Sequence, residues 1–273
     1  MAPPNAAPRA ATARERVRAE LSREIKEEAR RQLGASGAGG LSLRAVAKEL
    51  GMVSSALYRY YPSRDDLLTV LIIDAYNALG AAAEDAIAAG QTAAGCADPA
   101  RPAPPARDRW TAACHAVRDW ALANPHEYAL IYGSPVPGYR APEATIGPAA
   151  RVPLAFAGLL GEALARGELT EPGPAAGALP VTGQLAAQAN ALSAALVQSA
   201  PGSGSAAEPG GVAGGAAPAA LPPDALVRAV IAWTQLFGMI SFELFGQFVG
   251  SFEPADALFA HAAEQLAALV GLR

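Results

Sequence analysis

Residues Leu41–Leu68 read LSLRAVAKELGMVSSALYRYYPSRDDLL, and this stretch decides the fold. Ser42 is placed to cap a helix over Leu43–Leu50, and Gly51 to end it by taking a positive φ. Ser54 is placed to cap a second short helix reaching Tyr60, which Pro62-Ser63 closes. Two short helices crossing steeply over a tight turn need a small residue at their close approach, a turn-starting glycine, and a branched apolar residue locking the second helix onto the first. Ala47, Gly51 and Leu57 meet that spacing, and Leu43, Val46, Leu50 and Val53 are expected to complete a small core. The exposed face of the second helix is then Ser54, Ser55, Tyr58, Arg59 and Tyr60, whose hydroxyls and guanidinium suit phosphates and base edges. An ordinary helical hairpin with a capping serine would share the glycine and the alanine, so the spacing alone leaves both readings open.

Charge distribution favours the nucleic-acid reading. The 273-residue chain carries a formal net charge of −4. Residues 1–64 nevertheless hold 12 Lys/Arg against 6 Asp/Glu, while residues 65–273 hold 9 against 19. A basic head on an acidic body is expected where only one end meets phosphates.

Outward from the motif, every segment reads as helix or linker. Val17, Leu21, Ile25, Ala29 and Leu33 recur every fourth residue, predicting an apolar stripe on a helix from Thr12 to about Leu33, with most of its arginines off the stripe. A long helix is expected over 64–89, then helices at 106–123, 125–133, 149–166, 181–198, 223–249 and 254–269. Residues 1–11 are Pro/Ala-rich and expected to be disordered, 92–105 form a linker, 134–148 a Pro/Gly loop, and 199–222 a flexible low-complexity loop. The expected fold class is therefore all-α: an N-terminal three-helix domain over 12–63 and a helical domain over 64–273.

Several function classes are disfavoured. The chain has no strand-linked glycine-rich nucleotide motif, no nucleophile elbow and no His-Glu-x-x-His pair. Cys96 and Cys114 form no CxxC pair, and His115, His126 and His261 have no metal-ligand spacing, so no metal or cofactor is expected. The longest apolar run, Ala229–Phe242, is 14 residues with Gln235 inside it, short for a membrane span. The N-terminus lacks an apolar signal core. A soluble cytoplasmic protein with no membrane partner and no enzymatic role is expected.

From about Glu24 to Leu71 the chain resembles the tetracycline-repressor (TetR) family of bacterial regulators. The carriers are Ile25, Ala29 and Leu33, then Leu43, Val46, Ala47, Leu50, Gly51, Val53, Ser54, Ala56, Leu57, Tyr58, Tyr61, Pro62, Ser63, Arg64, Leu67 and Leu68. They follow the family's V-x-x-I-A-x-x-x-G-V-S-x-x-x-L-Y-x-x-F-x-x-K-x-x-L, with Met52 where a branched residue is frequent, Tyr61 for Phe and Arg64 for Lys. A second resemblance, to the subgroup with a Trp/His-Gly signature, is carried by Trp120–Gly133 and Trp233–Gly246, with Phe237 where the signature has histidine.

The resemblance implies a dimeric, all-helical, ligand-responsive DNA-binding regulator, in most members a repressor released from its operator by a small molecule. An activator, a ligand-independent DNA binder and an all-helical enzyme are the alternatives. It implies Ser42 and Arg44 near phosphates, Ser54, Ser55, Tyr58, Arg59 and Tyr60 on the recognition helix, and Arg64 against the DNA backbone. Arg59 is the preferred base reader, with a phosphate contact as its alternative. Tyr58 is either a phosphate donor or packed on the first helix, and the serines are contacts or caps. Apolar and aromatic side chains in the second half (Trp110, Trp120, Tyr128, Tyr132, Phe156, Leu159, Trp233) are the candidate pocket, with plain core as their alternative. The stripes Leu226, Val230, Trp233, Phe237, Ile240, Leu244 and Leu258, Ala262, Gln265, Leu269 are expected to pair across a homodimer. The partners so implied are a pseudo-palindromic double-stranded DNA operator, a small-molecule effector and a second copy of the chain.

Overall fold

A computed structural model of the chain describes residues 13–92, 104–170, 179–199 and 220–273. The tail expected over 1–11, residues 200–219 of the expected loop and Cys96 lie outside the described residues.

Ten α-helices lie among the described residues: α1 Ala13–Ser36, α2 Leu43–Glu49, α3 Ser54–Leu57, α4 Arg64–Thr92, α5 Ala106–Ala123, α6 Pro125–Tyr132, α7 Ile146–Ala165, α8 Gly183–Ser199, α9 Pro223–Leu244 and α10 Asp256–Val270. An isolated antiparallel bridge, Leu169 to Leu272, is the sole β pairing among them. The all-α class is as expected. Boundaries fall within a few residues of the periodicity, except that α9 ends at Leu244 rather than near 249.

The chain divides into two compact units. One comprises the described part of Met1–Ala75 with His126–Thr145, and the other Tyr76–Pro125 with Ile146–Arg273. The cut does not follow the division expected at 63/64, because α4 runs through that point and a distant segment returns to the first unit.

In the first unit α1, α2, α3 and the start of α4 enclose a core of Ile25, Ala29, Leu33, Leu43, Val46, Ala47, Leu57, Tyr61, Leu67, Leu68 and Leu71. Leu130, Val136 and Tyr139 of the returning segment pack on it. The return is held by charge and hydroxyls: Arg30 Nε donates to Glu127 at 2.8 Å, and the Thr69 and Tyr139 hydroxyls share a 2.9 Å bond. Val17, at the head of the expected α1 stripe, is 67% exposed. The stripe is buried only where a partner helix lies against it, from Ile25 onward.

In the second unit α10 packs on α9 and α5, α8 on α9, and α5 on α7. Two buried arginines organise it. Arg109 donates to the Ile87 carbonyl of α4 at 3.2 Å and to Glu162 of α7 at 2.9 Å. Arg118 grips Glu243 at 2.6 Å and Asp256 at 3.0 Å, tying α5 to α9 and α10. Cys114 is buried there, and desolvation, then the nearby Glu264 carboxylate, push its thiol pKa well up, so it stays a thiol at neutral pH.

By length and composition alone, Arg64–Ala89, Glu143–Ala165 and Pro223–Leu244 are long and apolar enough to cross a membrane. This corrects the expectation that no run suffices, since isolated polar residues interrupt the runs without lowering their mean hydropathy enough. In each helix part of the apolar face is buried within the protein, as with Leu67, Leu68, Leu79, Phe156, Leu160, Leu236 and Ile240.

Candidate nucleic-acid interface and apolar cavity

The turn between α2 and α3 is set by a specific capping motif. Gly51 has φ +63°. Its amide donates to the Lys48 carbonyl at 3.1 Å, and the Met52 amide reaches back to Ala47 at 2.8 Å. This 5→2 and 6→1 pair is a Schellman motif, which requires a left-handed residue between its two donors. The reversal carries Met52 inward against the core and leaves Val53 71% exposed. The expected core role of Val53 is therefore corrected: Met52 takes it, and Val53 is presented at the surface where α3 begins.

Ser42 caps α2 as expected, accepting from the Ala45 amide at 3.4 Å, and its own amide donates to Gln32 of α1. Arg44 is exposed, and so is Lys48 one turn on, which the sequence reading did not single out. Ser54 is not a cap. It is the first residue of α3, the N-cap position falls to Val53, and no side chain caps that end. α3 is one turn long and continues to Tyr61 through tight turns, with Tyr60 donating to Leu57 at 2.9 Å.

Leu57 is fully buried and fixes the rotation of α3. Ser55, Tyr58 and Arg59 face solvent, and Ser54 is half-buried. Tyr60 is corrected: it packs against the core, with the Arg18 guanidinium 5.8 Å above its ring. Arg64 also differs from expectation. Its guanidinium donates to the Ala38 carbonyl at 2.6 Å and the Leu41 carbonyl at 3.2 Å, closing the loop after α1. Tyr61, standing for the family's Phe, is buried, and its hydroxyl bonds Ser22 at 2.9 Å. Ser63 opens α4, accepting from the Asp66 amide and donating to its carboxylate, which is close to a capping box.

The second unit holds a cavity of about 260 Å³. Trp110 of α5, Pro153, Phe156, Ala157 and Leu160 of α7, Leu192 and Leu196 of α8, Leu221, and Leu226, Ala229, Val230, Trp233 and Leu236 of α9 line it. Trp110, Phe156 and Trp233 are brought together here as expected. Trp110 and Phe156 meet edge to face at 4.8 Å, and Phe237 stacks 5.4 Å from Trp233. The other expected liners do not reach the wall. Tyr128 and Tyr132 belong to the first unit, where their rings pack at 5.3 Å. Trp120 lies elsewhere on α5, and Leu159 is core beside the lining residue Leu160. The missed liners are aliphatic positions of α7, α8 and α9, which nothing but three-dimensional packing distinguishes from core.

The cavity wall is clamped to α4 within the same unit. Arg151 of α7 donates to the Asn77 carbonyl at 2.8 Å and to Glu84 at 2.9 Å, and the neighbouring carboxylate raises its pKa. Gly80 is needed beneath it, because a Cβ there would sit 2.7 Å from the Arg151 Cβ. Two residues along, Pro153 lines the cavity and removes one hydrogen bond from the middle of α7.

The expected dimer stripe is also redrawn. Leu226, Phe237 and Ile240 are buried inside the unit, while Val230, Ile231, Phe242, Phe245, Val249 and Phe252 are the exposed apolar side chains of α9 and the segment after it.

Comparison with known proteins agrees with both halves. Residues 25–71 match the family of bacterial regulatory proteins of the tetR type, and residues 110–266 match the tetracyclin repressor-like C-terminal domain. The Trp/His-Gly subgroup is not part of that description. The HTH-type transcriptional regulators Rv1816 of Mycobacterium tuberculosis (strain ATCC 25618 / H37Rv) and Mb1846 of Mycobacterium bovis are each 44% identical over 162 residues, covering 56% of this chain and 61% of theirs. The chain thus spans about three fifths of the length of these curated relatives. Among solved structures, a protein described as regulatory, SCO4313, is 33% identical, with a TM-score of 0.60 over 94% of this chain and 100% of its own. A Rhodococcus sp. RHA1 protein of unknown function shares the fold at 22% identity, with a TM-score of 0.59 over 92% of this chain and 95% of its own. With its helix-turn-helix head and its helical second half both matched, the chain belongs to the TetR family of bacterial transcriptional regulators.

Proposed function

We propose that this chain is a cytoplasmic repressor that binds a pseudo-palindromic DNA operator as a homodimer and is released from it by a small molecule held in the second unit. The observation that carries this reading is the recognition face of α3. Leu57 locks the turn from below, and Ser55, Tyr58 and Arg59 stand free above it. Arg59 reads guanine by bidentate pairing, a contact that discriminates by about 1–3 kcal/mol. Arg44, Lys48 and the Tyr58 hydroxyl hold phosphates, and Val53 offers an apolar contact to a thymine methyl. Arg64 acts one step back, by fixing the loop before α2.

A two-fold dimer reads a two-fold site. Exposed phenylalanines at 242, 245 and 252 supply apolar surface for a second copy. For release, the effector fills the cavity, shifts α7 and moves α4 through Arg151 and Arg109. Because α4 continues unbroken into the first unit, the two heads of the dimer change spacing. The shift is bounded by the effector's differential affinity for the two states.

The test is selection of tight sites from a random duplex library, followed by anisotropy titration of the selected duplex. Wild type yields an inverted repeat and a steep fall of log K with log salt. Tyr58→Phe weakens all sequences alike. A selected pool without two-fold symmetry, a flat salt response, or a monomer by sedimentation at micromolar concentration contradicts the reading.

A further inference from the structure

Every side chain around the cavity is aliphatic, prolyl or aromatic. The only side-chain hydrogen-bonding groups in the wall are the indole N–H groups of Trp110 and Trp233. Both nitrogens are buried, and neither has a hydrogen-bond partner. Buried donors are nearly always paired, so two orphans on one cavity are a departure that calls for a cause. Water is a poor answer. A water molecule accepting from the indoles would turn its own hydrogens toward hydrocarbon, and buried water needs two to four polar partners. An anion is no better, because no lysine, arginine or histidine reaches the wall, and a buried unpaired charge is far more costly than a buried neutral group. Arg151, the nearest cation along α7, already uses its donors on Asn77 and Glu84. At the position of the signature histidine, Phe237 places a ring rather than a titratable group beside Trp233.

We propose that the effector is an uncharged, mainly apolar molecule bearing an acceptor oxygen, such as a ketone, ester or ether, which takes hydrogen bonds from Trp110 and Trp233. This rests on the reading of the cavity as the effector site and names the chemical class that site admits. The wall offers donors and no acceptors, so the matching ligand offers acceptors within a hydrocarbon body small enough for about 260 Å³.

The test is titration calorimetry on the full chain, without DNA, using three probes of near-equal shape. 2-Acetylnaphthalene carries a ketone, 2-ethylnaphthalene no acceptor, and 2-naphthoate a charge. The ketone binds at least about fivefold tighter than the hydrocarbon, the advantage one to two buried hydrogen bonds give. The carboxylate binds at least about a hundredfold more weakly than the ketone. In Trp233→Phe the ketone-to-hydrocarbon ratio falls at least twofold while hydrocarbon affinity is retained. In Trp110→Phe/Trp233→Phe the ratio falls to about one. Should the double variant fail to fold, Trp233→Phe alone decides. Equal binding of ketone and hydrocarbon, preferred binding of the carboxylate, no binding of any probe, or an unchanged ratio in Trp233→Phe overturns the proposal. Loss of the ketone preference with operator binding intact removes the effector class and leaves the repressor reading standing. Loss of operator binding with the preference intact does the reverse.

Discussion

The two units treat their polar groups in opposite ways. In the first, half-buried side chains end on protein partners: Tyr61 on Ser22, Arg64 on the Ala38 and Leu41 carbonyls, Lys26 and Arg30 on Asp74. In the second, the wall of a 260 Å³ cavity leaves two indole donors without partners. A closed set of bonds suits a rigid platform that presents Ser55, Tyr58 and Arg59 at fixed positions. An open set suits a surface completed by something else. The difference assigns presentation to one unit and reception to the other.

The sharpest way to break that division is to damage each unit separately. Arg118 is buried between Glu243 and Asp256, and Arg118→Ala leaves Glu243 with an uncompensated, largely buried charge. A loss of about 3–5 kcal/mol in the second unit is expected, read by hydrogen exchange as lost protection in α5, α9 and α10, with the core of the first unit protected as before. Leu57→Ala is the converse. Removing a fully buried side chain costs about 2–5 kcal/mol, so protection in α1 to α3 and DNA affinity fall together, while probe binding in the cavity is unchanged. Gly51→Ala is milder. At φ +63° an alanine costs about 1–2 kcal/mol, lowering DNA affinity through the turn without touching the cavity. The smallest expected effect falls on the link between the units. Arg151→Met keeps the stem of the side chain and removes its bonds to Asn77 and Glu84. It leaves both DNA affinity and probe affinity close to wild type and weakens their coupling by about 0.5–2 kcal/mol, measured as the ratio of operator affinities with and without 2-acetylnaphthalene. Unchanged coupling would remove Arg151 from the route.

The head was legible because its constraints are local. Ala47, Gly51 and Leu57 lie within one short stretch, and a glycine forced to positive φ is visible in one letter. What went unread there depends on geometry finer than spacing. The Schellman reversal decides that Met52 turns inward and Val53 outward, and the tight turns after Leu57 decide that Tyr60 packs down while Arg59 does not. The unit's true extent was hidden for another reason. Glu127 meets Arg30 across 97 residues, and no periodicity reports a partner that distant. The cavity was half legible. Trp110, Phe156 and Trp233 stand out by size, but leucines of α8 and α9 line the wall in the same alphabet that builds the core, and Tyr128 and Tyr132 belong to the other unit.

The claim that α3 reads DNA through Arg59 is tested most directly by one variant on one selected duplex. Anisotropy titration of Arg59→Ala against the wild-type site and its single-base variants is expected to show specific affinity reduced by about 1–3 kcal/mol per contacted guanine. Base preference should be relaxed at that position alone, with the sedimentation profile and calorimetric probe binding unchanged. Arg59→Ala binding the selected duplex with wild-type affinity and wild-type base preference would contradict the recognition-helix assignment and the regulatory account built on it.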